Sequence, residues 1–115
     1  MLSANRNPKS EIPPGTLEML VLKTITRGGP MHGYGIAKAI HQISEDVLRV
    51  EEGSLYPALQ RILMKGWVTA EWVQAAGKRR SRIYSLTSDG RKQLNAEMTA
   101  YRRVSRAIER VLEPA

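Results

Sequence analysis

Cysteine is absent from the 115 residues. That excludes a disulfide framework, a thiolate metal site and a cysteine nucleophile. Histidine occurs only as His32 and His41, so without cysteine no metal site is expected and no cofactor is implied. Long apolar runs are missing too. The longest, Met19-Leu20-Val21-Leu22, is far short of the ~20 residues a membrane span needs. Arg6 and Lys9 near the start are followed by no apolar stretch, so no secretory signal is legible. These absences predict a soluble, cytoplasmic protein without a membrane partner. Glycine and proline, 9 and 6, are close to average and exclude collagen-like or linker sequence. There is no P-loop, GxSxG or HExxH, and Ser54 has no histidine at triad-like spacing. An enzyme is not expected, and catalytic residues are assigned nowhere.

What is present is a globular composition of single-domain length, with 42% hydrophobic and 25% charged residues. Lys and Arg number 18 against 11 acidic residues, a net charge of +7. Such an excess favours partners of dense negative charge, nucleic acid before anionic membrane. The excess is concentrated. Lys78, Arg79, Arg80, Arg82, Arg91 and Lys92 crowd into residues 74–92 against Asp89 alone. A solvated loop is the plain reading of such a cluster, and a binding surface is the sharper one.

Residues 1–15 read as a flexible polar tail, with Pro8, Pro13, Pro14 and Gly15. Thr16 is placed to cap a first helix over about 17–27, with Leu17, Leu20, Val21 and Ile25 on one face. Gly28-Gly29-Pro30 stops it. Ile36, Ile40 and Ile43 predict a second helix over about 33–44. Val47-Leu48-Arg49-Val50 reads as a short strand. A third helix starts within Glu51–Ser54, tolerates Pro57 in its first turn and ends at Gly66. Leu55, Leu59, Ile62 and Leu63 form its buried stripe, and Ser54, Tyr56, Gln60, Arg61 and Lys65 lie on its other face. Val68, Ala70 and Trp72, then Arg82, Tyr84 and Leu86, alternate as two strands around a basic turn. Thr87 caps a last helix of about 25 residues, ~37 Å long. Its Leu94, Met98, Tyr101, Ser105, Ile108 and Leu112 repeat at heptad spacing, flanked by Val104 and Val111.

The fold class that follows is mainly α with a β-hairpin wing, a winged helix-turn-helix followed by a long C-terminal helix. Residues 16–87 form the DNA-binding unit and residues 88–115 the dimerisation helix. A third helix with a polar outer face fits a major groove, and a basic hairpin beside it reaches phosphates or the minor groove. The competing use of the same fold is a protein-binding adaptor without specific DNA binding. The last helix cannot bury its whole stripe on so small a domain. It pairs with a second copy or folds back on the first helix. A two-fold homodimer suits two half-sites spaced ~34–36 Å apart.

Four segments carry a family resemblance. They are Gly29-Pro30-Met31-His32-Gly33-Tyr34-Gly35-Ile36, Glu52-Gly53-Ser54-Leu55-Tyr56-Pro57-Ala58-Leu59, Gly66-Trp67-Val68, and Arg80 through Tyr84-Ser85-Leu86-Thr87-Ser88-Asp89-Gly90. In order and spacing over about residues 13–95 they resemble the PadR family of bacterial transcriptional regulators. The resemblance implies a dimeric repressor on a near-palindromic operator, with the C-terminal helices building the dimer. It also implies a small aromatic or drug-like effector in many members. Gly35 stands where many members carry an acidic residue. The single C-terminal helix resembles the shorter subgroup of the family.

Individual residues follow from chemistry. His32 either donates to phosphate or caps the second helix. Tyr34 and Tyr56 place hydroxyls near DNA, and Ser54 starts the third helix beside them. Gln60 and Arg61 suit the edges of adenine and guanine. Lys65, Lys78, Arg79, Arg80 and Arg82 suit phosphate. Trp67 belongs to the core. Trp72, Met98 and Tyr101 either pack or line a cavity for a planar ligand. Leu94, Met98, Tyr101, Val104, Ser105, Ile108 and Leu112 form the expected dimer interface.

Overall fold

Val21, Leu22 and Ile25 project from one face of the first helix, and the other elements close around them. The computed structural model describes residues 12–13, 15–74 and 80–114. Most of the expected tail at 1–15, and Lys78 and Arg79, lie outside the described residues. The elements in order are α1 (Leu17–Gly28), β1 (Met31–His32), α2 (Gly33–Ile43), α3 (Glu52–Met64), β2 (Val68–Gln74), β3 (Arg80–Leu86) and α4 (Ser88–Leu112). The sheet is antiparallel with order β1-β3-β2. Ile36 and Ile40 of α2, Leu55, Leu59 and Ile62 of α3, Val68, Tyr84 and Leu94 complete the core around α1. The expected architecture, mainly α with a hairpin wing and a long last helix, is the one observed.

Three local readings are corrected. Thr16 does not cap α1 with its side chain; its hydroxyl donates to the Pro13 carbonyl at 2.7 Å. Val47–Val50 is not a strand. Glu45 and Asp46 take left-handed φ values of 55° and 70°, and the Leu48 amide then donates to the Ser44 hydroxyl at 2.9 Å, away from any sheet. A strand not expected, β1, pairs Met31 with Tyr84 and His32 with Ile83. It pins the start of α2 to the hairpin.

The β3–α4 junction is built on one threonine. The Thr87 hydroxyl donates to the Gly66 carbonyl at 2.7 Å and accepts from the Gly90 amide at 2.9 Å. It therefore caps α4 and ties it to the end of α3. Gly90 allows the approach, because a Cβ there would collide with the Trp67 carbonyl oxygen. From this joint α4 runs along α1, burying Leu94 and packing Met98 against the core. Beyond Met98 its apolar stripe leaves the body: Tyr101, Val104, Ile108 and Leu112 are 46%, 57%, 52% and 70% exposed. Among the described residues no helix is long and apolar enough to cross a membrane, and no three acidic or histidine side chains cluster as a metal site.

Candidate nucleic-acid interface

The start of α2 is fixed before any ligand is considered. His32 is the N-cap, in extended conformation, and its Nδ1 accepts from the Gly35 amide at 3.0 Å. Of the two roles open to His32, capping is the one its Nδ1 performs. Tyr34 follows with its ring stacked on His32 at 6.3 Å and two-thirds exposed. Gly33 is buried because the Tyr56 ring of α3 lies across it. A Cβ on Gly33 would sit 3.1 Å from Tyr56 Cε1 and 3.2 Å from its hydroxyl oxygen. The close approach of α2 and α3 thus brings Tyr34 and Tyr56 to one side.

The α3 stripe of Leu55, Leu59 and Ile62 faces the core, so Tyr56 and Gln60, four residues apart, are outward neighbours. The hairpin, β2 with β3, forms the opposing wall. Trp72 pairs with Arg82 and Gln74 with Arg80 in register, which puts Trp72, Arg80 and Arg82 on one face. The guanidinium carbons of Arg80 and Arg82 lie 4.7 and 5.4 Å from the Trp72 ring centre. At the base, Tyr84 is buried. Burial pushes its phenol above the usual value near 10, the Arg82 cation pulls it back, and Tyr56 adds to the rise. It is a neutral hydroxyl at physiological pH.

Between these walls is an open groove of about 520 Å³, lined by His32, Gly33, Tyr34, Tyr56, Gln60, Trp72, Arg80, Ser81, Arg82 and Tyr84. Among the described residues no carboxylate lines it. Two fixed cations, several hydroxyls, an amide and flat aromatic faces form a surface for a polyanion rather than an apolar ligand.

The remaining expected site residues sit elsewhere. The Arg61 Nε donates to Glu18 Oε2 of α1 at 2.5 Å, and Lys65 lies 3.8 Å from Glu18 Oε1 and over the Trp67 ring. Both are on the flank of α3 turned to α1, away from the groove. Ser54 lies in a separate hollow beside Leu17, Arg49 and Glu51. Leu94 is corrected: at 2% exposure it belongs to its own chain's core, so it is not available to a partner. Trp72 does not meet Met98 or Tyr101. It lines the groove at the hairpin, whereas Tyr101 lines a hollow of about 350 Å³ with Met19, Ala100 and Val104. Glu18 was legible only as a first-turn helix charge. Tyr84 was legible only as a strand residue, with no sign that it floors the groove.

Residues 21–96 match the model of the transcriptional regulator PadR-like family. An uncharacterized 37.1 kDa protein in transposon TN4556 of Streptomyces fradiae is 40% identical over 88 residues, 76% of this chain. The chain spans only 24% of that relative's length. A transcriptional regulator from Clostridium thermocellum has the same fold, with a TM-score of 0.79 at 20% identity, covering 86% of this chain and 95% of that one. The crystal structure of Bacillus subtilis PadR in complex with operator DNA aligns at a TM-score of 0.66 and 22% identity, covering 75% of this chain and 48% of that one.

Proposed function

The chain belongs to the PadR-like family of transcriptional regulators, and from that premise we propose that it is a homodimeric repressor that binds a near-palindromic DNA operator. The observation that carries the reading is the groove between α3 and the wing, without a carboxylate among its described lining, with Gln60 on one wall and Trp72, Arg80 and Arg82 on the other. In this arrangement α3 enters the major groove and presents Gln60 to a base edge, for which adenine is the matching partner. The wing supplies charge to the backbone, with Lys78 and Arg79 of the sequence adding to Arg80 and Arg82. Tyr34 and Tyr56 donate hydroxyls to phosphate. Arg61 and Lys65 contribute only by leaving Glu18.

The homodimer rests on the exposed end of α4. Tyr101, Val104, Ile108 and Leu112 form a continuous apolar face that one protomer leaves open, and a second copy covers it. Two protomers then present two α3 helices to two half-sites. The hollow of Met19, Ala100, Tyr101 and Val104 lies on the same face. A small aromatic or drug-like effector held there, between protomers, would shift the spacing of the two α3 helices and release DNA.

The test is selection of bound duplexes from a random pool, followed by variants. A near-palindromic motif is expected. Gln60→Ala should cost about 1–3 kcal/mol on the selected site and relax preference at one or two positions per half-site. Arg80→Ala should weaken selected and random duplex alike and flatten the salt dependence. No enrichment and no salt-sensitive duplex binding would turn the reading to a protein-binding adaptor.

A further inference from the structure

Trp72 is an odd choice for its position. It is 54% exposed on β2, so burial of its large apolar surface does not explain it. Its ring instead meets two cations from the neighbouring strand, Arg82 directly across from it and Arg80 two pairs further out on the same face. Residues directly opposite in an antiparallel pair have Cβ atoms about 5 Å apart, so this contact is set by the register of the hairpin. A guanidinium held over an aromatic face is restricted in movement.

Arg82 carries a second anomaly. Its Nε is shielded from solvent and has no hydrogen-bond partner among the described residues. Its guanidinium also interacts with Tyr84 at the base of the groove. An unmet, water-excluded donor on a fixed cation is costly unless an acceptor arrives. The Nε and a neighbouring Nη of an arginine form the fork that grips two oxygens of a phosphate. An acceptor arriving from outside would meet that donor, and among the described residues no carboxylate lines the groove to repel an anion.

We propose that the groove between the wing and α3 contains a fixed receptor for one DNA backbone phosphate, with Arg82 as its ligand and Trp72 as the positioning residue that holds Arg82. The proposal rests on the DNA-binding reading above and deepens it. The wing arginines differ in kind. Both lie over Trp72, Arg80 at 4.7 Å and Arg82 at 5.4 Å, but Arg82 also meets Tyr84 and carries the shielded, unmet Nε, so its geometry is formed before DNA arrives and less freedom is lost on binding. Arg82 is then not exchangeable for lysine, which keeps the charge but has neither the planar guanidinium nor the Nε.

The test uses the full-length protein and a labelled random-sequence duplex, with affinity measured across a salt series and thermal melting recorded for each variant. Arg82→Lys and Trp72→Leu should each weaken binding about two- to fivefold per wing, with the salt slope unchanged. Trp72→Phe, which keeps a ring face, should restore most of the affinity. The double variant Trp72→Leu/Arg82→Lys should be little worse than either single one, because both remove the same contact. Arg80→Ala should instead lower the slope by ~0.9 per lost phosphate contact. Wild-type binding with additive losses in the double variant, or with Arg82→Lys indistinguishable from wild type, overturns the receptor alone. Loss in Trp72→Leu that follows melting temperature and is not rescued by Phe also overturns it. A wild type with no salt-dependent duplex binding overturns the receptor and the DNA reading together.

Discussion

The Nε of Arg61 donates to Oε2 of Glu18 at 2.5 Å, joining α3 to α1 across 43 residues of sequence. Lys65 approaches the other carboxylate oxygen at 3.8 Å. One acid thus holds Arg61 of α3 and Lys65 at its C-cap. Glu18→Gln should weaken this tie and lower stability by no more than about 1 kcal/mol, since Arg61 is half exposed. The same change removes a negative charge and frees two cations beside the proposed reading helix. Duplex affinity should rise and its salt slope steepen. Melting and a salt titration of the variant check both halves, and unchanged DNA affinity would show that Arg61 and Lys65 lie beyond reach of DNA.

The exposed end of α4 predicts a sharp response to charge. Tyr101→Asp or Ile108→Asp places an unpaired carboxylate on the face proposed to be covered by a second copy, an expensive burial. Both residues are about half exposed in the single chain, so the monomer fold should survive. Sedimentation should give a folded monomer for either variant and a dimer for the wild type. A wild type that remains monomeric at tens of micromolar, roughly where an obligate dimer is fully associated, removes the dimer.

Gly90→Ala should be among the costliest single-atom additions in the chain. The new Cβ would meet the Trp67 carbonyl oxygen, a backbone atom that a rotamer change cannot move. The Thr87–Gly66 tie holds the same joint. A loss of about 1–3 kcal/mol is expected in denaturant unfolding, despite the better helix propensity of alanine. An unchanged midpoint would mean that the α3–β2 turn gives way at little cost.

Tyr84 should ionise above the usual tyrosine value near 10, since burial raises its phenol. The folded value exceeds the unfolded one, so the folded state holds the proton more tightly. Stability from this group is complete below about pH 10 and is lost as pH climbs through the folded value. Tyrosinate absorbance during an alkaline titration should show a late step that Tyr84→Phe removes. A titration in which that variant loses an early step contradicts the burial.

Much of the fold was legible because its signals are local. Ile36 and Ile40 mark one helix, and Leu55, Leu59 and Ile62 the next, by spacing alone. Alternation through Val68, Ala70 and Trp72 marks a strand, and Thr87 before Asp89 marks a helix start. β1 was not legible, since two residues are too few to show a period. Of the candidate site, Tyr34, Tyr56, Gln60, Arg80 and Arg82 were named from residue type and helix face, and the folded chain gathers them around one groove.

By itself the sequence determined the order of elements, the outward face of α3, the basic wing and the apolar stripe of α4. Each depends on periods of two or of 3.6 to 3.5 residues, which need only neighbours along the chain. Only the tertiary structure decided which of those faces is covered. It sent Arg61 to Glu18, sank Leu94 into its own core while leaving Ile108 open, and stood Trp72 beneath two guanidinium groups rather than beside Tyr101. Periodicity assigns a residue to a side of its element. What lies across that side is set by the packing of elements far apart in the chain, and no local pattern carries it.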